Sequence, residues 1–147
     1  MGAQDVQKLR AETGAGIMDC KRALDEASGD IEKAKEAIFK SGIVKAGKKS
    51  DRAVGAGYFQ TYIHGGRVAV LLQIHAETDF VTKSEDFQDC AKNIAMHIAA
   101  NAPENTEELL AQSYVRNPGQ TVEEYIKGVI ARVGENIQVV RFTLYEL

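Results

Sequence analysis

The chain has 147 residues, of which 44% are hydrophobic and 27% are charged, and its formal net charge is −3. This length predicts one domain, or one domain with a small appendage, and the composition excludes a chain that is disordered over most of its length. The acidic balance argues against binding to double-stranded nucleic acid, and the longest apolar run, Val68–Leu72, is far too short to span a membrane.

The first 44 residues have the pattern of three short helices joined by glycine turns. Val6 and Leu9 mark the first helix, which is predicted to stop at Thr13-Gly14. Asp30 is a natural N-cap for the third helix, which is predicted to end near Gly42. The inward faces of the second and third helices are predicted to consist of Ile17, Cys20, Leu24 and Ala27, and of Ile31, Ala34 and Ile38.

Residues 45–56 are predicted to form a basic, partly helical linker, because they are rich in Lys, Arg and Gly and poor in large apolar residues. Two β-rich runs follow, over 58–63 and 67–75, and they flank Gly65-Gly66, a pair typical of a tight hairpin. The second run is predicted to place Val68, Val70, Leu72 and Ile74 on one face.

Helical periodicity returns at residues 84–101, with Ser84 as the predicted N-cap. The predicted inward face of this helix comprises Phe87, Ala91, Ile94 and Ile98. Residues 104–120 have an irregular pattern with one helical turn at 107–111. Thr121 and Glu124 then form a capping box for a last helix. The inward residues predicted for that helix are Val122, Ile126, Val129 and Val133, and Gly134 is predicted to end it.

The chain closes with a predicted strand from Ile137 to Leu147, whose alternation places Val140, Phe142 and Leu144 on one side. These elements predict an α+β fold, in which a three-helix unit precedes a small antiparallel sheet of about three strands packed with helices. The predicted division is a helical head at 1–44, a linker at 45–56 and an α+β body at 57–147.

No catalytic or metal-binding constellation is apparent. Gly42–Lys48 imitates a phosphate-binding loop, but Lys49 stands where that loop needs Ser or Thr, and the segment before it has a helical pattern. His64, His75 and His97 stand alone, without metal-ligand or catalytic spacing. We therefore expect no enzymatic activity, no metal and no cofactor.

Cys20 and Cys90 lie far apart and match neither a disulfide framework nor a zinc site. Both occupy apolar helix positions, which predicts buried, reduced thiols. Because residues 1–5 also lack the basic and apolar parts of a secretory signal, we expect a cytoplasmic protein.

One connection is unusually apolar. Phe80 and Val81 lie at the centre of the segment between the second strand and the next helix, beside Asp79. Phe80 could fold inward and pack on the following helix. Alternatively, it could be an exposed aromatic anchor, a type of residue that contributes about 2 kcal/mol or more to a protein–protein interface.

Several segments together resemble the bacterial elongation factor Ts family. The sequence LRAETGAGIMDCKRAL at 9–24 resembles the family's first signature, and ETDFV at 77–81 matches the core of its second. IAMHIAA at 94–100 and the closing GENI at 134–137, with Arg141-Phe142, are also similar to family segments.

The resemblance implies a guanine-nucleotide exchange factor for the GTPase elongation factor Tu. Thr78, Asp79, Phe80 and Val81 correspond to the family's wedge, in which the Asp–Phe pair disturbs the Mg²⁺ site of the GTPase and loosens GDP. The head is implied to be similar to a ubiquitin-associated domain and to dock on the GTPase. The head residues implied to bind the partner are Arg10, Thr13, Gly14, Ala15, Gly16, Met18 and Asp19.

Three residues depart from the usual family pattern: Gln73, His75 and Ala76 stand where Glu, Asn and Cys are usual, so the support of the wedge is expected to differ. The chain resembles short members with a single core unit, which implies a homodimer paired through the sheet or its edge. Two rival functions stay open: a protein-binding or chaperone-like module without exchange activity, and an RNA-associated translation protein that uses Lys45–Arg52.

Overall fold

The computed structural model describes residues 2–147. Three helices, α1–α3, form the head and enclose a small apolar cluster. The helices are α1 (Ala3–Thr13), α2 (Ile17–Glu26) and α3 (Ile31–Gly47). The buried cluster consists of Leu9, Cys20, Ala23, Leu24 and Ala34. The predicted turn over Gly14–Gly16 and the Asp30 cap are confirmed, since Gly14 ends α1 with φ of 72° and the Asp30 carboxylate accepts from two backbone N–H groups of α3.

Two predictions about the head are wrong. Ile17 is 54% exposed and is not on the inner face, because it is the first residue of α2 and precedes the part of the helix that the other two helices cover. The third helix does not end near Gly42 but continues to Gly47. Gly42 is accommodated because α3 lies close there against the helix that contains Ala131, and a Cβ at position 42 would be 3.2 Å from the Ala131 Cβ.

Three antiparallel strands form the sheet of the body in the order β1–β2–β5, which confirms the α+β class. They are β1 (Ala56–His64), β2 (Val68–Ala76) and β5 (Ile137–Glu146). The β1–β2 hairpin turns at Gly65 and Gly66, whose φ angles of 57° and 68° suit glycine. Val70, Leu72 and Ile74 of β2 are buried, as their alternation predicted.

The prediction for Val140 is wrong. Strands β2 and β5 slip by one residue between Gln73 and Ile74, so that Val139 pairs with Ile74 and Arg141 pairs with Gln73. Val140 is therefore the additional residue of a β-bulge and is exposed, while Val139 faces the core. Phe142 and Leu144, beyond the bulge, pack against the core as predicted.

Helices cover one face of this sheet. They are α4 (Asp79–Thr82), α5 (Glu85–Asn101), α6 (Thr106–Ala111) and α7 (Val122–Val133). The Ser84 cap and the Thr121–Glu124 capping box are confirmed, and Phe87, Ala91, Ile94 and Ile98 are buried. The region expected to be irregular contains a two-stranded ribbon in addition to α6, formed by β3 (Ser113–Tyr114) and β4 (Asn117–Thr121).

The loop-like sequence Gly42–Lys48 lies almost entirely within α3, so it does not form a phosphate-binding loop. Both cysteines are free and buried, and burial raises the pKa of Cys90 to about 12. Within residues 2–147, none of the helices has the length and apolarity needed to cross a membrane.

Candidate functional site

The segment Thr78–Val81, here termed the Phe80 turn, connects β2 to α5 and includes the single helical turn α4. Phe80 is 87% exposed, whereas the next residue, Val81, is 5% exposed and belongs to the core of the body. A buried anchor therefore lies directly beside a ring that projects into solvent. The inward-packing alternative for Phe80 is wrong, because Val81 occupies the inward position.

Backbone hydrogen bonds fix the shape of the Phe80 turn. The Thr82 N–H donates to the Thr78 carbonyl at 3.3 Å, and the Thr82 hydroxyl donates to the Asp79 carbonyl at 3.0 Å. The Ser84 hydroxyl, which caps α5, also donates to the Val81 carbonyl at 2.6 Å. Because the carbonyls of Thr78, Asp79 and Val81 accept these hydrogen bonds, the turn presents Phe80 on a defined backbone.

Glu135 braces the start of the Phe80 turn from the opposite side. Its Oε1 accepts from the Thr78 N–H at 3.0 Å, and its Oε2 accepts from the Thr78 hydroxyl at 2.8 Å. Glu135 follows Gly134, whose φ of 80° ends α7 and directs the chain toward the turn. Because Glu135 accepts from both the N–H and the hydroxyl of Thr78, it fixes the backbone and the side chain of Thr78 together.

A second link ties the same region to the linker. The Asn136 N–H donates to Glu77 Oε1 at 2.8 Å, while the Asn136 side-chain amide donates to the carbonyls of Ser50 and Arg52 at 3.3 and 2.9 Å. Asn136 is itself buried. The base of the Phe80 turn is therefore a junction of the β2 end, the α7–β5 connection and the linker.

Asp79 is left free by these contacts. Its carboxylate is exposed and makes no hydrogen bond or salt bridge to any residue that the structure describes, 2 to 147. An unpaired carboxylate beside a projecting ring can accept hydrogen bonds from, or repel anions of, a bound partner. The turn thus presents one apolar group and one negative group side by side.

Two of the three departures from the family pattern form a polar relay near this junction. His75 Nδ1 lies 2.9 Å from the Val54 carbonyl, and its Nε2 lies 2.8 Å from Gln73 Nε2. Gln73 Oε1 then accepts from Arg141 Nε at 2.7 Å. Since the Val54 carbonyl can only accept, Nδ1–H donates to it and Nε2 accepts from the Gln73 amide, so one orientation of the ring satisfies both contacts. The relay ties the linker to β2.

The head residues predicted to bind a partner lie in three different settings. Met18 is 73% exposed and Arg10 is also exposed. Asp19, by contrast, already pairs with Arg22 at 2.6 Å and with Lys45 at 3.3 Å. The remaining four form the α1–α2 turn, namely Thr13, Gly14, Ala15 and Gly16.

Comparison with known proteins places this geometry in context. A sequence profile described as "Elongation factor TS" matches residues 77–147, which include the Phe80 turn and its Glu135 brace. An elongation factor Ts from Nostoc punctiforme (strain ATCC 29133 / PCC 73102) is 50% identical over the whole chain, and the match covers 46% of that relative. A chloroplastic elongation factor Ts from Rhodomonas salina is 39% identical over the whole chain, with 89% of the relative covered.

The chain belongs to the elongation factor Ts family. Elongation factor Ts from Alkaliphilus metalliredigens (strain QYMF) is also similar, at 34% identity, with 97% of the chain and 87% of that relative covered. The chain nevertheless spans about half the length of its two Nostoc relatives. The alignment with the Rhodomonas relative runs over 194 positions against 147 residues here, so at least 47 of its positions have no counterpart in this chain.

Sequence reasoning identified the Phe80 turn but missed what holds it. Glu135 and Asn136 appeared only as part of a motif that is similar to a family segment. Glu135 follows the glycine that ends α7 and lies 57 residues after Thr78. No sequence pattern predicts a hydrogen bond across that separation. The contacts of Glu135 and Asn136 hold the Phe80 turn in place, and only the structure reveals them.

Proposed function

We propose that this chain is a translation elongation factor that binds elongation factor Tu·GDP and promotes the release of GDP by inserting the Phe80 turn near the Mg²⁺ site of the GTPase. The observation that carries the proposal is the exposure of Phe80 directly beside the buried Val81, on a turn whose backbone is held by hydrogen bonds. An aromatic ring that is free on a rigid backbone loses little entropy when a partner encloses it.

The proposed mechanism needs no bond-making group. The factor must bind the nucleotide-free GTPase more tightly than the GDP form, and linkage then requires that it weaken GDP binding by the same factor. Fully burying one Phe side chain contributes roughly 1.5–3 kcal/mol, which is one to two decades in affinity. The Asp79 carboxylate would add competition for the polar groups around the Mg²⁺ of the partner, and docking of the head would supply the remainder.

In this proposal the protein is not an enzyme, and it uses no cofactor or metal of its own. It would act in the cytoplasm with elongation factor Tu as its partner, and without direct binding to nucleic acid. The head would contribute a second contact with the GTPase through exposed residues such as Met18 and Arg10.

Release of a fluorescent GDP from elongation factor Tu, followed by stopped flow, tests the proposal. We expect wild type to accelerate release and Phe80→Ala to lose at least about tenfold of that acceleration, with an unchanged fold by circular dichroism. Val115→Ala is a suitable control, because it removes an exposed apolar side chain elsewhere on the body. Equal rates for Phe80→Ala and wild type would disprove the assignment of the turn, and a wild type that binds the GTPase without accelerating release would indicate the non-exchanging module.

We further propose that the chain forms a homodimer through the open face of its sheet. Phe59 and Ile63 of β1, Leu71 of β2 and Tyr145 of β5 are all exposed on the face opposite the helices. The register places Ile63 opposite Ala69, and Ala69 opposite Tyr145, so these side chains lie across adjacent strands. Polar residues lie between them, since Leu71 stands between Thr61 and Thr143, and the exposed apolar side chains would be the anchors of an interface on this mixed face.

Sedimentation velocity at micromolar concentration tests the dimer. We expect wild type to sediment as a dimer and Leu71→Glu, which places a charge at the centre of the face, to sediment as a monomer. Val44→Glu is the matched control, because Val44 is also exposed but lies on α3. A monomeric wild type that still accelerates GDP release would refute the dimer and leave the exchange function standing.

A further inference from the structure

The head contacts the body in two ways. Helix α3 packs along α7 and ends in the core of the body, where Ala46 is buried. Ala131 of α7 lies so close to Gly42 of α3 that a Cβ at position 42 would lie 3.2 Å from the Ala131 Cβ. Arg132, the next residue of α7, reaches the turn between α1 and α2. The position of α3 is therefore fixed by packing, whereas one long polar side chain links the α1–α2 turn to the body.

Arg132 contacts one acceptor in the head and one in the body. Its Nη2 donates to the Thr13 carbonyl at 3.1 Å, and its Nη1 lies 3.6 Å from Asp86 Oδ1 on α5. Thr13 is the last residue of α1, so its carbonyl is one of those left without a partner inside the helix, at the end that favours a cation. The planar guanidinium has N–H donors that point in different directions, so it can donate to two separate acceptors, whereas the lysine ammonium is a single compact charge.

Gly14 provides the space for this side chain. A Cβ at position 14 would lie 2.6 Å from Arg132 Nε and 3.1 Å from its Cδ and Cγ. The backbone of Gly14 also has a left-handed φ of 72°. The glycine at the centre of the head's signature segment thus has an intramolecular role, because it lets the arginine of the body lie flat over the turn.

We propose that Arg132 is a positioning residue that locks the α1–α2 part of the head to the body, so that this part and the Phe80 turn engage the partner as one rigid surface. The expected effect on the GTPase rests on the proposed function. The contact between Arg132 and the α1–α2 turn, however, belongs to the free protein and can be measured without the partner. Two binding surfaces held in the correct relative position gain affinity, because binding of the first brings the second into place. A flexible connection between them reduces this gain in affinity. Loss of the lock should therefore weaken association with the GTPase and leave the Phe80 turn intact.

Residual dipolar couplings of the free, full-length protein measure the lock directly. We expect the amides of α1, α2 and the body to fit one alignment tensor in wild type, and those of α1 and α2 to need a tensor different from that of the body in Arg132→Met. In GDP release, we expect Arg132→Met to raise the half-saturating concentration about tenfold, within the usual range for coupling between sites, with an unchanged plateau rate. Arg132→Lys should restore part of the loss, and Asp86→Asn should have little effect.

Gly14→Ala supplies an independent test, because its methyl group would displace the Arg132 side chain. We expect Gly14→Ala to separate the alignment tensors in the wild-type background and to separate them no further in the Arg132→Met background, while its left-handed φ lowers stability in both backgrounds. A single tensor in Arg132→Met would overturn the proposal, as would a lower plateau rate with an unchanged half-saturating concentration. If wild type fails to accelerate GDP release, the proposed function fails, while the dipolar couplings still decide whether the lock exists.

Discussion

Glu135 shows how one side chain can determine the geometry of a site that it is not part of. It contributes both of its oxygens to Thr78, one to the N–H and one to the hydroxyl. Hydrogen bonds to a charged acceptor contribute about 1.5–3 kcal/mol each when shielded, and less at an exposed site such as this one. We expect Glu135→Ala to leave Phe80 exposed but to widen the range of positions that its ring samples.

The prediction for Glu135→Ala is a loss of roughly fivefold or more in the acceleration of GDP release, which corresponds to about 1 kcal/mol of lost pre-organisation. Stopped-flow release is the measurement. Glu123→Ala is the control, because Glu123 lies on α7, where it pairs with Lys127. In the Phe80→Ala background the additional loss should vanish, since both changes act on one group. Full additivity of the two losses would refute the bracing role.

Elements with strong local signals could be predicted from the sequence. The Thr121–Glu124 capping box, the Ser84 cap and the Gly65-Gly66 hairpin depend on residues within a few positions of one another. The ribbon of β3 and β4 could not be predicted, because it contains Pro118 and Gly119, residue types that strands usually avoid. The bulge at Val140 could not be predicted either, because it depends on the pairing of β5 with β2, which is distant in sequence.

His97 docks that ribbon onto α5. Its Nδ1 accepts from the Val115 N–H at 3.1 Å, and its Nε2 lies 2.8 Å from Gln112 Oε1, so the ring is neutral with its proton on Nε2. Burial lowers the pKa of His97, although the bond to Gln112 opposes this effect. A proton on Nδ1 would face the Val115 N–H, a donor, and would break the contact.

The pH dependence follows from this lowered pKa. As the pH falls through the ordinary range of histidine, near 6.5, the unfolded chain binds the proton before the folded chain does. We therefore expect the free energy of unfolding to fall as the pH drops below about 6.5 and this contribution to level off below the folded-state pKa. Urea denaturation between pH 7.5 and 5 measures the slope, and His97→Gln should reduce it. An equal slope in both proteins would contradict the prediction.

At the scale of the whole molecule, the sequence indicated a helical head and an α+β body, but it could not indicate how they contact one another. The two parts have separate buried clusters, and α3 belongs to both, with Ala34 in the head cluster and Ala46 in that of the body. The contact between Thr13 and Arg132 joins residues 119 positions apart and leaves no periodic signal. The proposed division at 1–44 and 57–147 remains a prediction, since α3 continues through its first boundary.

The difference in size between the two clusters predicts unequal local stability. Five residues form the buried cluster of the head, and a unit that small is marginal without the contacts of α3 with the body. We expect hydrogen exchange, followed by mass spectrometry, to be at least about tenfold faster in α1 and α2 than in α5 and β2, because the head can open locally while the body stays folded. The part of α3 around Ala46 should exchange as slowly as the body, since Ala46 is buried there. Uniform protection from α1 to β5 would show instead that the protein opens only as a single unit.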